Sequence, residues 1–80
     1  MIITTKSGSV YTIENGAWSR NGQWVSKVWD KFCVPNSVNS LADALTCKRL
    51  PLSTGFRMYI SGRDEWTLST EIITIEGETT

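Results

Sequence analysis

Between Pro51 and Glu76 the chain carries the pattern of two extended segments joined by a turn. Phe56, Met58 and Ile60 alternate with Arg57 and Tyr59, the period-2 signature of a strand with one buried and one polar face. Ser61-Gly62-Arg63-Asp64 supplies turn residues, and from Trp66 onward β-branched and aromatic residues dominate. A β-hairpin is therefore the expected floor of the molecule. Within its second strand Trp66, Leu68 and Ile72 share one parity, and Ile73 and Ile75 the other. The switch at Ile72-Ile73 implies a bulge, or a strand covered on both faces.

The N-terminal third points to more strands. Ile2 to Lys6, Val10 to Glu14 and Ala17 to Arg20 read as short extended segments. Ser7-Gly8-Ser9 separates the first two, and Asn15-Gly16 and Asn21-Gly22 are strong hairpin signals because both residue types accept positive φ. Gln23 to Val34 is harder to assign. Trp24, Val25, Val28, Trp29, Phe32 and Cys33 recur at helical spacing, which predicts an amphipathic helix, whereas Trp, Val and Phe are themselves mediocre helix formers. Pro35-Asn36 ends the segment. Ser40 to Leu45 predicts a second short helix, with Ser40 as its cap and Leu41, Ala44 and Leu45 as its apolar stripe. Lys48 and Arg49 are placed to complement its C-terminal dipole. The expected fold is one α+β domain over 1–80. It comprises a twisted antiparallel sheet or small open barrel of four to six strands, one or two short helices in the middle, and a frayed tail at 77–80.

Composition narrows the function classes. The chain has 80 residues and no histidine, which removes the usual general base and the Ser-His-Asp and Cys-His arrangements. Cys33 and Cys47 lack metal-ligand spacing, the acids lack a calcium-loop pattern, and no phosphate-binding glycine loop is present. Neither catalysis nor a cofactor is expected. The two thiols are expected to be reduced and buried, with a single disulfide as the alternative. Met1 to Lys6 does not read as a signal peptide, and no apolar run has membrane-spanning length, so a cytoplasmic location is expected.

The formal net charge is zero, but its distribution is uneven. All eight Lys and Arg fall in residues 1–63 beside three acids, while residues 64–80 carry five acids and no base. Pairing of the acidic strand beside basic ones would neutralise both, and Glu71 is expected to face Arg57 as a cross-strand ion pair.

Thr5, Ser7, Gly8, Ser9 and Tyr11 near the start, Gly22 and Trp24 in the middle, Pro51, Leu52 and Gly55 before the hairpin, and Thr67, Ser69, Thr70 and Ile73 near the end form a set of turn and strand positions. With them the chain resembles the small uncharacterised accessory proteins of actinobacterial phages and prophages. Its middle, Val25 to Arg49, departs from that group by its helical pattern. The resemblance implies a β-rich fold and a phage setting, and no transferred activity or site.

Two binding readings follow. Trp24 and Trp29, continued by Phe32, offer an aromatic stripe for a protein contact with a host or defence-system component, or for a homo-oligomer. Arg57, Tyr59 and Arg63, with Lys48 and Arg49, offer the alternative of a small β-barrel that binds nucleic acid by charge and base stacking. The isoelectric point near 6.1 weighs against the second.

Overall fold

A computed structural model describes residues 1–77 as a single curled antiparallel sheet with one short helix. The strands are β1 (Ile2–Thr5), β2 (Val10–Glu14), β3 (Ala17–Arg20), β4 (Gln23–Lys27), β5 (Asp30–Val34), β6 (Arg57–Ser61) and β7 (Trp66–Glu76), and the helix is α1 (Leu41–Thr46). This corrects the α+β expectation: the chain is mostly β, a seven-stranded half-barrel where four to six strands were expected, with one helix. The expected tail at 77–80 falls, from residue 78 on, outside the described residues.

Across the sheet the order is β4-β3-β2-β1-β7-β6-β5. Each named pairing is antiparallel, so direction alternates and the two edge strands, β4 and β5, run in the same sense. Only Val28 and Trp29 separate them. The chain thus leaves β3 as its partner, bends at Val28-Trp29, and takes up β6. β7 does the same on the other side: Glu71 still pairs with Arg57 of β6, and Ile72 already pairs with Thr5 of β1. Two bent strands therefore curl the sheet.

Bulges supply the bending. In β7 the register against β1 skips Ile73, so Ile72 is buried and Ile73 exposed, at the parity switch visible in the sequence. In β4 the register against β3 skips Val25. The hairpins β2–β3 and β3–β4 turn on Asn15-Gly16 and Asn21-Gly22, all four at positive φ, as the Asn-Gly pairs require.

The expected helix over Gln23–Val34 is instead β4 and β5. Its helical spacing came from three apolar doublets, each divided between the two faces of extended chain. Val25, Val28 and Cys33 pack with the main core, whereas Trp24 and Trp29 are exposed and Phe32 joins a second cluster. The β propensity of Trp, Val and Phe was the better guide here.

The main core lies inside the curl and contains Ile3, Tyr11, Trp18, Cys33, Met58, Ile60 and Ile72. The second cluster, Phe32, Val34, Val38, Ala44 and Tyr59, covers the other face of β5 and β6 beneath α1. Helix α1 starts where expected, with the Ser40 hydroxyl accepting from the Asp43 amide. Lys48 and Arg49 fall beyond its Cys47 cap and do not form part of its last turn.

Candidate functional site

Three of the four tryptophans remain on the surface, and all three border the β6–β7 turn. Trp18 is 1% exposed, against 68% for Trp24, 67% for Trp29 and 49% for Trp66. The chain path explains the grouping. The Trp29 amide donates to the Ser61 carbonyl, and Trp66 is the cross-strand partner of Ser61. Gly62 packs directly on Ser26, which brings the turn against β4 and its Trp24. Residues of β4, the β4–β5 corner and the turn thereby enclose a groove of about 440 Å³, bordered by Trp24, Trp29, Lys27, Arg63, Asp64 and Glu65. Of the residues singled out in the sequence, Trp24, Trp29 and Arg63 are brought together here.

The four charges around the groove are free to act outward. Among the described residues, neither an ion pair nor a hydrogen bond engages the side chains of Lys27, Arg63, Asp64 or Glu65; the Ser26 hydroxyl donates to the Lys27 backbone carbonyl only. The turn is held through its backbone instead, by the Gly62 amide donating to the Glu65 carbonyl.

The other singled-out residues lie elsewhere, and three of them, Tyr59, Arg57 and Arg49, have structural partners. Tyr59 is buried between Phe32, at a ring-centroid distance of 4.9 Å, and Trp66, stacked at 6.5 Å. It presents no face for a base. Arg57 Nε donates to the Ser69 carbonyl at 2.7 Å, and its Nη1 donates to the Val38 carbonyl and to Asn39 Oδ1. The expected Arg57–Glu71 ion pair is absent although the two residues are in register; Glu71 accepts from the Asn36 amide group instead. Arg49 lies 4.4 Å above the Phe32 ring and pairs with Asp30 at 2.7 Å, the one salt bridge among the described residues. Lys48 is exposed. The residues of the nucleic-acid reading thus do not form one open basic surface.

Sequence reasoning missed Trp66 and the two acids as members of the patch. The signal for Trp66 was its position directly after the turn, beside the singled-out Arg63.

Other chemistry is sparse. A second hollow of about 730 Å³ lies by Met1, Ile13, Glu14, Val28 and Lys31, with no aromatic side chain on its wall. Among the described residues, no three of His, Cys, Asp and Glu gather as a metal cluster. Both cysteines are free thiols; Cys33 is buried, Cys47 partly so. Burial pushes the Cys33 thiol pKa up from its ordinary value. No described helix is long and apolar enough to cross a membrane.

No protein-family model matches the chain, and neither a curated protein nor a solved structure matches it.

Proposed function

We propose that this protein is a non-catalytic binding module that docks another protein through the aromatic surface around the β6–β7 turn. One observation carries the reading: Trp24 and Trp29, each about two-thirds exposed, share a groove with the unpaired charges of Arg63, Asp64 and Glu65. Exposing tryptophan to water forgoes a large burial gain, and Trp and Arg are the residues that most often dominate the energetics of protein contacts. The resemblance to phage accessory proteins sets the partner as a host or defence-system protein in the cytoplasm.

Affinity capture from an actinobacterial lysate, run side by side with wild-type protein and a Trp24→Ala/Trp29→Ala variant, tests this. The expected result is a protein retained by the wild type and lost with the variant. Both side chains are mostly outside the core, so the variant should stay folded, with a stability change of about 1 kcal/mol or less. Identical retained sets from the two baits would overturn the proposal.

A further inference from the structure

The occupant of the groove can be argued from its charges. Lys27 and Arg63 are balanced by Asp64 and Glu65 on the same small surface. A uniformly acidic or basic partner would meet repulsion from half of these groups. A surface carrying both signs, with none neutralised internally among the described residues, is matched by a copy of itself turned through a twofold axis.

We infer that a second copy of this chain occupies the groove. The two protomers pack Trp24 and Trp29 against each other, and Lys27 and Arg63 of one protomer face the partner's Asp64 and Glu65. The inference rests on the reading of this groove as a protein-docking surface.

Area supports it. At exposures of 68% and 67%, Trp24 and Trp29 alone offer about 300 Å² of accessible surface, on the usual size of the side chain. A standard interface uses about 800 Å² per partner, so the two tryptophans fill roughly a third of it, and the turn and the β4 edge beside them lie where the rest is needed. Among the described strands β4 pairs with β3 alone, so its outer edge has no neighbouring strand among them. The consequence is regulatory: self-association hides the surface that a foreign protein would use, so docking and dimerisation compete, and the free surface is favoured at low concentration.

Sedimentation equilibrium of the intact protein at concentrations up to about 1 mM tests the inference. The mass should rise with concentration toward twice the 9.0 kDa of the chain. Trp24→Ala/Trp29→Ala should weaken association by about 30-fold or more. Raising salt from about 50 to 500 mM should weaken it further, because the facing charges lie at the rim. Charge reversal gives the sharper arm. Lys27→Glu/Arg63→Glu and Asp64→Lys/Glu65→Lys should each be monomeric alone and should associate when mixed. A wild type that stays monomeric over the whole range overturns the inference. So does a dimer indifferent to the tryptophan substitutions, or a mixture that associates no better than its components. Failure is separable from failure of the docking proposal: a monomeric protein that still loses a captured partner on Trp24→Ala/Trp29→Ala removes only the dimer.

Discussion

Gly62, in the turn between β6 and β7, lies against Ser26 of β4 with no room for a side chain between them. A Cβ on Gly62 would overlap the Ser26 side chain and come within 2.6 Å of the Lys27 carbonyl oxygen. The two residues are far apart in the order of strands, at β4 on one edge and beside β6 near the other. Their contact therefore reports the curl of the whole sheet and sets the hairpin tip against the tryptophan groove.

Gly62→Ala is expected to destabilise the fold by about 1–3 kcal/mol, the usual range for overpacking a filled site. Urea unfolding followed by circular dichroism measures it. Adding Ser26→Gly to Gly62→Ala should recover part of the loss, because the Lys27 carbonyl remains in the way. A neutral Gly62→Ala variant would mean that the turn and β4 do not touch in solution.

Arg57 and Arg49 should differ in the size and salt dependence of their mutational cost although both look like surface cations in the sequence. Arg57 donates to Ser69, Val38 and Asn39 and ties the segment before α1 to the sheet. Arg57→Met removes hydrogen bonds made by a charged donor and should cost about 1.5–3 kcal/mol. Amide exchange at Val38, whose N–H donates to the Pro35 carbonyl, should accelerate with it. Arg49→Ala loses an exposed ion pair and a cation–π contact with Phe32, together worth about 1 kcal/mol. Urea titrations at low and high salt separate the two: only the Arg49 effect should shrink with salt.

The legibility of the fold followed the range of the forces involved. Asn15-Gly16 and Asn21-Gly22 announced their hairpins because the turn needs positive φ at both residues, a local demand. The bulge at Ile73 was visible for a similar reason, as a break in alternation along one strand. Gln23–Val34 was misread because a bend and a bulge in extended chain reproduce helical spacing, and the bend exists only because β3 and β6 hold its two halves. Tyr59 looked like part of a polar face because nothing local says that Val38, Leu41 and Ala44 return to cover that side of β6. For the site, residue type pointed to Trp24, Trp29 and Arg63. Their convergence depended on the Gly62–Ser26 contact, between residues 36 positions apart in the chain.

The four tryptophans should separate cleanly by solvent access. Trp18 is enclosed with Tyr11, their ring centroids 6.3 Å apart, and its indole N–H meets no acceptor among the described residues. Variants retaining a single tryptophan, the others replaced by Phe, should show efficient acrylamide quenching for Trp24 and Trp29, intermediate quenching for Trp66, and almost none for Trp18 before unfolding. Trp18→Ala should cost about 3–5 kcal/mol, enough to unfold much of a domain this small. Trp18→Phe should cost distinctly less, because it keeps most of the ring and removes an unpartnered donor. Equal losses from the two changes would show that the N–H has an acceptor in solution.

Cys33 gives a pH-dependent signature of the core. Burial raises its thiol pKa above the ordinary value of 9.0, so the folded state keeps the proton where the unfolded chain gives it up. The sign follows from proton counts. Below about pH 9 both states are protonated and the full stability is present; above it the unfolded state binds fewer protons, and stability falls as pH rises toward the folded pKa. Urea midpoints between pH 8 and 10.5 should therefore decline, and Cys33→Ala, measured in parallel, should lack the part of the decline due to this thiol. Thiol titration at pH 8 provides a second check. Cys47, only partly buried, should react with a disulfide reagent in the native state, while Cys33 should react at a rate that follows the population of opened protein. Equal rates for the two thiols would show that β5 does not hold Cys33 within the curl of the sheet.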